Sequence, residues 1–388
     1  MESSQKTRLF RELERNLDYM YNDFQGSVDY TVKRFVLKNG QKCAAITIEG
    51  QISKDIFARS VLNPILTYDV ENLYGDELFD CIKLYIISAS EAMEITSFEE
   101  VYNLSMSGFA IIAVDDCDRM LAVGVQGFPF RSISEPETEI TQRGSREGFV
   151  EPIKINMTLI RRRIKNPRLR FEQMTIGDVS KTSICLCYLT DIVSQDILNE
   201  LKRRLKHTNL SNALAAGYLV DYLEDKNDKS IFCSVGLSER PDTVCGKISE
   251  GRIAIVIDGT PSVLIVPHLF VENFQTMDDY SNRPYFATFS RWLKYLAFII
   301  AIFTPGVYVA AVIYNPEIFP EEMLTKIALS VASTPFPIVW EVLIIHFIYE
   351  IMREAGLRLP RTLGHAVSIV GALVIGETAV NAGLIGAP

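Results

Sequence analysis

The 388-residue sequence predicts an α/β soluble region of two tandem, duplicated subdomains with mixed strands, followed by an α-helical transmembrane bundle. Three observations carry this. Charged residues make up 22% of the chain but thin out after Trp292, so the apolar residues are concentrated at one end. Three long apolar runs follow one another there. In the charged part, two strand–turn–strand patterns recur at nearly the same spacing.

The apolar end divides at 292–314, 327–349 and 363–388. As a helix the first run would measure about 34 Å, enough for a hydrocarbon core of about 30 Å. The flanks give the orientation. Arg283, Arg291 and Lys294 precede the first run, Lys326 stands alone against Glu317, Glu321 and Glu322 in the next connection, and Arg353, Arg358 and Arg361 fill the last. Positive charge favours the cytoplasmic side, which places the soluble region there. Pro305-Gly306 is expected to interrupt the first run, and Pro335 and Pro337 the second, because proline removes a helix hydrogen bond. Glu341, His346 and Glu377 fall within the apolar runs. A charge at the bilayer centre costs about 2.5–3.5 kcal/mol on insertion scales, so such groups should face a bundle interior or a wet path. The chain ends at Gly386-Ala-Pro388, and further spans are expected beyond it.

In the soluble part, Gly108-Phe-Ala-Ile-Ile-Ala-Val-Asp115 parallels Gly251-Arg-Ile-Ala-Ile-Val-Ile-Asp258, 143 residues on. Each reads as an apolar strand, a turn opened by aspartate and a second strand. The strand at 43–48 with Ser53, Asp55 and Ile56 parallels 185–189 with Ser194, Asp196 and Ile197. The near-equal spacings point to duplication. Phe149, Ile153, Met157, Ile160 and Ile164 form one helical stripe, and Ile197, Leu198, Leu201 and Leu205 another. The expected subdomains are 1–135 and 146–285, joined by a linker within 132–145, with the membrane region at 291–388.

Little in the chain suggests catalysis. Neither a glycine-rich phosphate loop nor a HExxH or Gly-x-Ser-x-Gly motif is present, and of four histidines only His207 and His268 precede the apolar end. The seven cysteines form no CxxC pair, which favours reduced, buried thiols over a disulfide framework or zinc site. A net charge of −9 disfavours nucleic acid. The reading is therefore no enzyme, no cofactor and no metal. Arg161-Arg-Arg163 is expected on a solvated or partner-docking helix face.

Several long motifs resemble a known family. Arg143-Gly-Ser-Arg-Glu-Gly-Phe149, Leu159-Ile-Arg-Arg-Arg-Ile164, Glu239-Arg-Pro-Asp242 and the stretch from Glu250 to Pro261 look like the A subunit of GerA-type spore germinant receptors. Tyr285-Phe-Ala-Thr-Phe-Ser-Arg291, Pro335-Phe-Pro337, Arg353-Glu-Ala-Gly-Leu-Arg-Leu-Pro360 and the run from Ile369 to Gly376 continue the match. The resemblance implies a multi-pass protein of the spore inner membrane, its N-terminal region facing the spore core. It implies a transporter-like B subunit and a lipoprotein C subunit as partners, with membrane lipid around it. It also implies homo-oligomers that form a nutrient-gated cation channel. Stage V sporulation AF proteins, germination amplifiers, share these motifs. A membrane-tethered ligand-binding or scaffold protein and a secondary transporter are the other classes compatible with these residues. The candidate signature residues at an interdomain or subunit contact are Arg143, Gly144, Arg146, Glu147, Gly148, Glu239, Arg240, Pro241 and Asp242. Pro305, Pro335, Pro337, Glu341 and Glu377 are the intramembrane candidates.

Overall fold

The computed structural model describes residues 8–357 apart from 71, 90, 128–138, 140, 142–143, 209, 225–229, 231 and 333, together with Leu373, Gly376, Glu377 and Val380. The chain divides into two compact units, Met1–Arg283 and Pro284–Pro388.

The first unit holds two five-stranded sheets. Strands β1 (Tyr30–Val36), β2 (Lys42–Ile48), β3 (Ala92–Ile95), β4 (Phe109–Val114) and β5 (Met120–Gly124) form one. Strands β6 (Leu169–Ile176), β7 (Thr182–Leu189), β8 (Gly236–Ser238), β9 (Ile253–Ile257) and β10 (Val263–Val266) form the other. Their orders, β1-β2-β4-β5-β3 and β6-β7-β9-β10-β8, are the same path traced twice.

The expectation of mixed strands is corrected: every pairing between these strands is antiparallel. The near-continuous apolar runs have another cause, because helices cover both faces of each sheet. In the first, Cys43 and Ala45 of β2 pack with Val61, Ile65 and Phe79, whereas Ala44 and Ile46 pack with Leu13, Leu17 and Phe98. In the second, Ile184 and Leu186 of β7 face Leu198, Leu201 and Leu205, while Cys185 and Cys187 face Ile153, Ile160 and Val244. A central strand buried on both faces must be apolar throughout, whatever its direction. Cys185 and Cys187 lie side by side as free thiols with sulfurs 4.0 Å apart, and burial pushes the Cys187 thiol up.

The repeat extends to individual hydrogen bonds. The Leu13 amide, at the start of helix Leu13–Phe24, donates to Asp115 Oδ1 at 3.0 Å, and the Ile153 amide, at the start of helix Ile153–Arg163, donates to Asp258 Oδ1 at 3.0 Å. Each aspartate leaves the end of a central strand and satisfies a helix N-terminus, where the dipole favours a carboxylate. Asn16 ties Phe10 through both main-chain groups, as Asn156 ties Val150.

In the second unit, helix Pro284–Tyr314 has 31 residues and a mean hydropathy of 2.4 in its most apolar window. Among the described residues it is the one helix long and apolar enough to cross a membrane. It runs unbroken through Pro305, so the expected interruption there is corrected. The second apolar run is split, with helix Glu321–Ala332 separated from helix Ile338–Leu357 by the turn that contains Pro335 and Pro337. Ile338–Leu357 also carries Glu350, Arg353 and Glu354 near its end. The run at 363–388 lies outside the described residues except for the four isolated positions, which are helical.

Candidate interdomain site

The halves of the first unit are joined through Arg161. Its guanidinium binds Asp29 with both arms, Nε to Oδ2 at 2.7 Å and Nη2 to Oδ1 at 2.9 Å. The remaining donors reach the carbonyls of Asn166 and Leu169 at 3.0 and 2.8 Å, and the Phe171 ring lies beneath at 4.7 Å. Ser27 completes the set. Its hydroxyl donates to Asp29 at 2.6 Å and accepts from the Phe171 amide at 3.1 Å, while the Val28 amide donates to the Phe171 carbonyl at 3.2 Å. The Arg161 and Asp29 side chains are 1% and 4% exposed. Arg161 is thus no solvated or partner-docking residue. It sits on the buried side of its helix, and the charge is tolerated because every face of the fork has an acceptor.

Beside this pair the halves approach closely. Gly50 has φ +85°, and a Cβ there would fall 2.0 Å from Thr158 Oγ1. Gln51 is fully buried and its amide nitrogen donates to the Thr158 carbonyl at 3.3 Å. Lys154 reaches across to Glu49 at 3.0 Å, and Lys54 binds the same oxygen at 2.9 Å. The hydrogen bond from Lys54, reinforced by Lys154, holds the Glu49 carboxyl below its usual range despite partial burial. A cavity of about 340 Å³ opens here, lined by Asp29, Glu49, Ser53 and Lys54 from the first half and Lys154 and Met157 from the second.

The signature motifs meet a short distance along the chain. Arg240 is 2% exposed and gathers the linker, reaching the Glu139 and Ser145 carbonyls at 3.2 and 2.9 Å and the Thr141 hydroxyl at 3.0 Å. Asp242 neutralises it from the same motif, at 2.6 Å. Gly144, at φ +131°, lies against the guanidinium. The Glu239 carbonyl accepts from the Phe149 amide at 2.8 Å, and Pro241 begins the helix Pro241–Ser249. Glu147 is bound by Arg162 and by Arg163, the latter at 2.6 Å. Gly148 is buried beside it, Arg146 is exposed, and Arg143 lies outside the described residues. The partners of Glu147 and Arg240 therefore belong to the linker and the second half. The link to the first half is made elsewhere, by Arg161 with Asp29, Phe171 with Ser27 and Val28, Thr158 with Gln51, Lys154 with Glu49 and Lys165 with Ser107. Sequence reasoning missed Asp29 and Ser27, which no local pattern distinguishes.

Of the intramembrane candidates, Glu341 is 3% exposed and accepts from the Thr334 hydroxyl in the turn that holds Pro335 and Pro337, while Glu377 is exposed. Asp76, Cys117 and Asp118 bring ligand-type atoms within 4.8 Å of one another. Arg11 at 2.7 Å and Arg119 at 3.3 Å already bind Asp76, and burial pushes the Cys117 thiol up to about 11, so this trio suits an ion-pair network better than a cation.

These features define a class: a protein with a duplicated three-layer α/β unit, its halves tied by a buried ion pair, followed in the chain by an apolar helix of membrane-spanning length. The chain belongs to the GerA family of spore germination proteins, whose model, described as Bacillus/Clostridium GerA spore germination protein, matches residues 18–388. It is 40% identical to spore germination protein KA of Bacillus subtilis over 342 residues, covering 88% of this chain and 62% of that protein. It is 34% identical to the uncharacterized membrane protein YfkQ of Bacillus subtilis over 388 residues, 100% of this chain and 75% of that one. Spore germination protein GerLA of Bacillus cereus is 33% identical over 379 residues, 96% and 76% of the two chains. The chain thus spans between three fifths and about three quarters of these relatives. The crystal structure of the N-terminal domain of the A subunit of the Bacillus megaterium spore germinant receptor GerK3 superposes with a TM-score of 0.52. It is 26% identical and covers 69% of this chain and 98% of that one.

Proposed function

We propose that the chain is the A subunit of a spore germinant receptor, held in the spore inner membrane with its duplicated unit on the spore-core side. The observation that carries this is the pairing of a GerK3-like soluble unit with the 31-residue apolar helix that follows it. On this reading the segments at 327–349 and 363–388 add further spans, and Glu341, capped by Thr334 beside the proline turn, lies in the bundle they build. Copies of the chain assemble into a cation-conducting ring and work with a transporter-like B subunit and a lipoprotein C subunit. No catalytic step, cofactor or metal is assigned. The subdomains extend over 1–135 and 146–285, and the cluster of Gly144, Glu147, Arg240 and Asp242 sets the linker so that movement in one half is passed to the other. The test is made in spores carrying the full-length gene. Glu341→Gln should leave the protein in the membrane at wild-type abundance while slowing ion release after nutrient addition by several fold. Wild-type kinetics with Gln, Ala and Leu at 341 would remove Glu341 from the conduction path, and wild-type germination in a deletion strain that lacks paralogues would refute the receptor role.

A further inference from the structure

After β10 the chain passes His268 and Leu269 into a single 3-10 turn, Phe270–Phe274, that is built inside out. Its one charged residue, Glu272, points inward with a side chain 6% exposed. Arg252 and His268 bind it at 3.0 Å, Lys247 lies at 3.4 Å, and the Leu269 amide donates to it at 3.3 Å. The apolar residues of the same stretch face out: Leu269 is 50% exposed, Phe270 36% and Val271 48%. Phe232, 45% exposed, extends the surface by packing on Phe270 with ring centroids 4.3 Å apart. A single exposed leucine needs no explanation. A contiguous apolar cap, fixed outward because the carboxylate beneath it is held by Arg252, Lys247 and the His268 ring, marks an interaction surface.

We propose that this cap, Leu269, Phe270 and Val271 with Phe232, docks into the interfacial layer of the lipid bilayer. Chain reach and chemistry both favour lipid. Only nine residues separate Phe274 from Pro284, where the apolar helix starts, and fully extended they reach no further than about 35 Å. Helix Met277–Ser281 shortens that tether. Once the helix is inserted, the cap stays near the membrane surface at high effective concentration, so even a weak apolar contact is populated. Aromatic and aliphatic side chains without an outward charge suit the boundary between headgroups and acyl chains. The helix bears the marks of the same layer at its start, with Tyr285 89% and Trp292 71% exposed and Arg291 and Lys294 nearby.

The inference rests on Pro284–Tyr314 crossing a bilayer, and the test separates the two. The 388-residue chain contains two tryptophans, Trp292 and Trp340. Reconstituted in phosphatidylcholine–phosphatidylglycerol vesicles with brominated acyl chains, the wild-type chain reports insertion through quenching of these residues. Val271→Trp in a Trp292→Phe/Trp340→Phe background then reports the cap. The site is already exposed, so the fold tolerates the change. The expected result is blue-shifted emission that loses at least half its intensity in brominated vesicles. Leu214→Trp in that background, at a position 63% exposed elsewhere in the second half, should keep water-like, unquenched emission. Unquenched emission from the tryptophan at 271 in a chain whose native tryptophans are quenched would overturn the lipid contact. If that emission is also shielded from aqueous iodide, a protein covers the cap instead, and the proposal again fails. Unquenched native tryptophans would overturn the membrane-crossing reading and this inference together.

Discussion

Arg161 and Asp29, 132 residues apart in the chain, form a bidentate ion pair with both side chains almost wholly buried. A buried pair of this kind contributes little against an apolar replacement of both residues, but breaking it strands a charge at a cost of about 3–5 kcal/mol. The pair therefore acts less as a source of stability than as a selector of one arrangement of the two halves.

The first prediction follows directly. Arg161→Met or Asp29→Leu alone should lower the melting temperature of the soluble unit by roughly 6–15 °C. The double variant should recover most of that loss. Differential scanning calorimetry of the three variants checks it, and a double variant no better than the singles would remove the stranded-charge explanation.

Gly50 offers a purely steric counterpart. With φ +85° and a Cβ position 2.0 Å from Thr158 Oγ1, Gly50→Ala must separate the halves locally or distort the turn. A loss of about 1–3 kcal/mol is expected, the range typical of overpacking. Adding Thr158→Ala should restore part of it, since Oγ1 leaves, but not the share that comes from the positive φ. Urea denaturation of the single and double variants separates the two contributions.

The two helix-capping aspartates should behave as independent copies. Asp115→Ala and Asp258→Ala should each cost about 0.5–2 kcal/mol, and together close to the sum, because the caps share no partner. Coupling above about 0.5 kcal/mol in the double-mutant cycle would show that the halves do not respond separately.

Acid should loosen the contact at the cavity. Lys54 and then Lys154 hold the folded Glu49 carboxyl below the usual glutamate range. A depressed carboxyl stabilises the folded state above its unfolded pKa, and that stability is lost as pH falls through the folded value. Between about pH 5 and pH 3, then, the wild type should lose stability faster than Glu49→Gln, whose profile lacks this contribution. Parallel profiles would mean that Glu49 does not couple folding to pH.

Thiol labelling tests the core assignment. Cys233 is exposed, whereas burial pushes the Cys43 and Cys245 thiols up to about 12. In the folded chain a maleimide reagent should modify Cys233 quickly, Cys81 slowly and the remaining thiols only after unfolding, as peptide mass spectrometry would show.

The sequence by itself determined which end of the chain is apolar, that the charged part is repeated, and most of the helical stripes that enter the cores, although Ile197, read into one stripe, is 38% exposed. All three follow from local pattern: hydropathy over a span, a spacing of 141 to 143 residues between like strands, and the helical period from Ile153 to Ile160. Strand direction was not legible, because a strand covered by helices on both faces is apolar throughout whether its neighbours run parallel or antiparallel. The fate of the charged motifs was not legible either. Arg161, Arg162 and Arg163 are identical in sequence, yet one is buried against Asp29 and the others bind Glu147. Glu272 stands in no pattern that marks it, and the sequence marks Arg240 only as a contact candidate; the tertiary structure turns both inward. The physical reason is common to all of them. Burial of a charge is decided by whether acceptors or donors from distant segments converge on it, and that convergence is a property of the folded chain, set by topology rather than by neighbours in sequence.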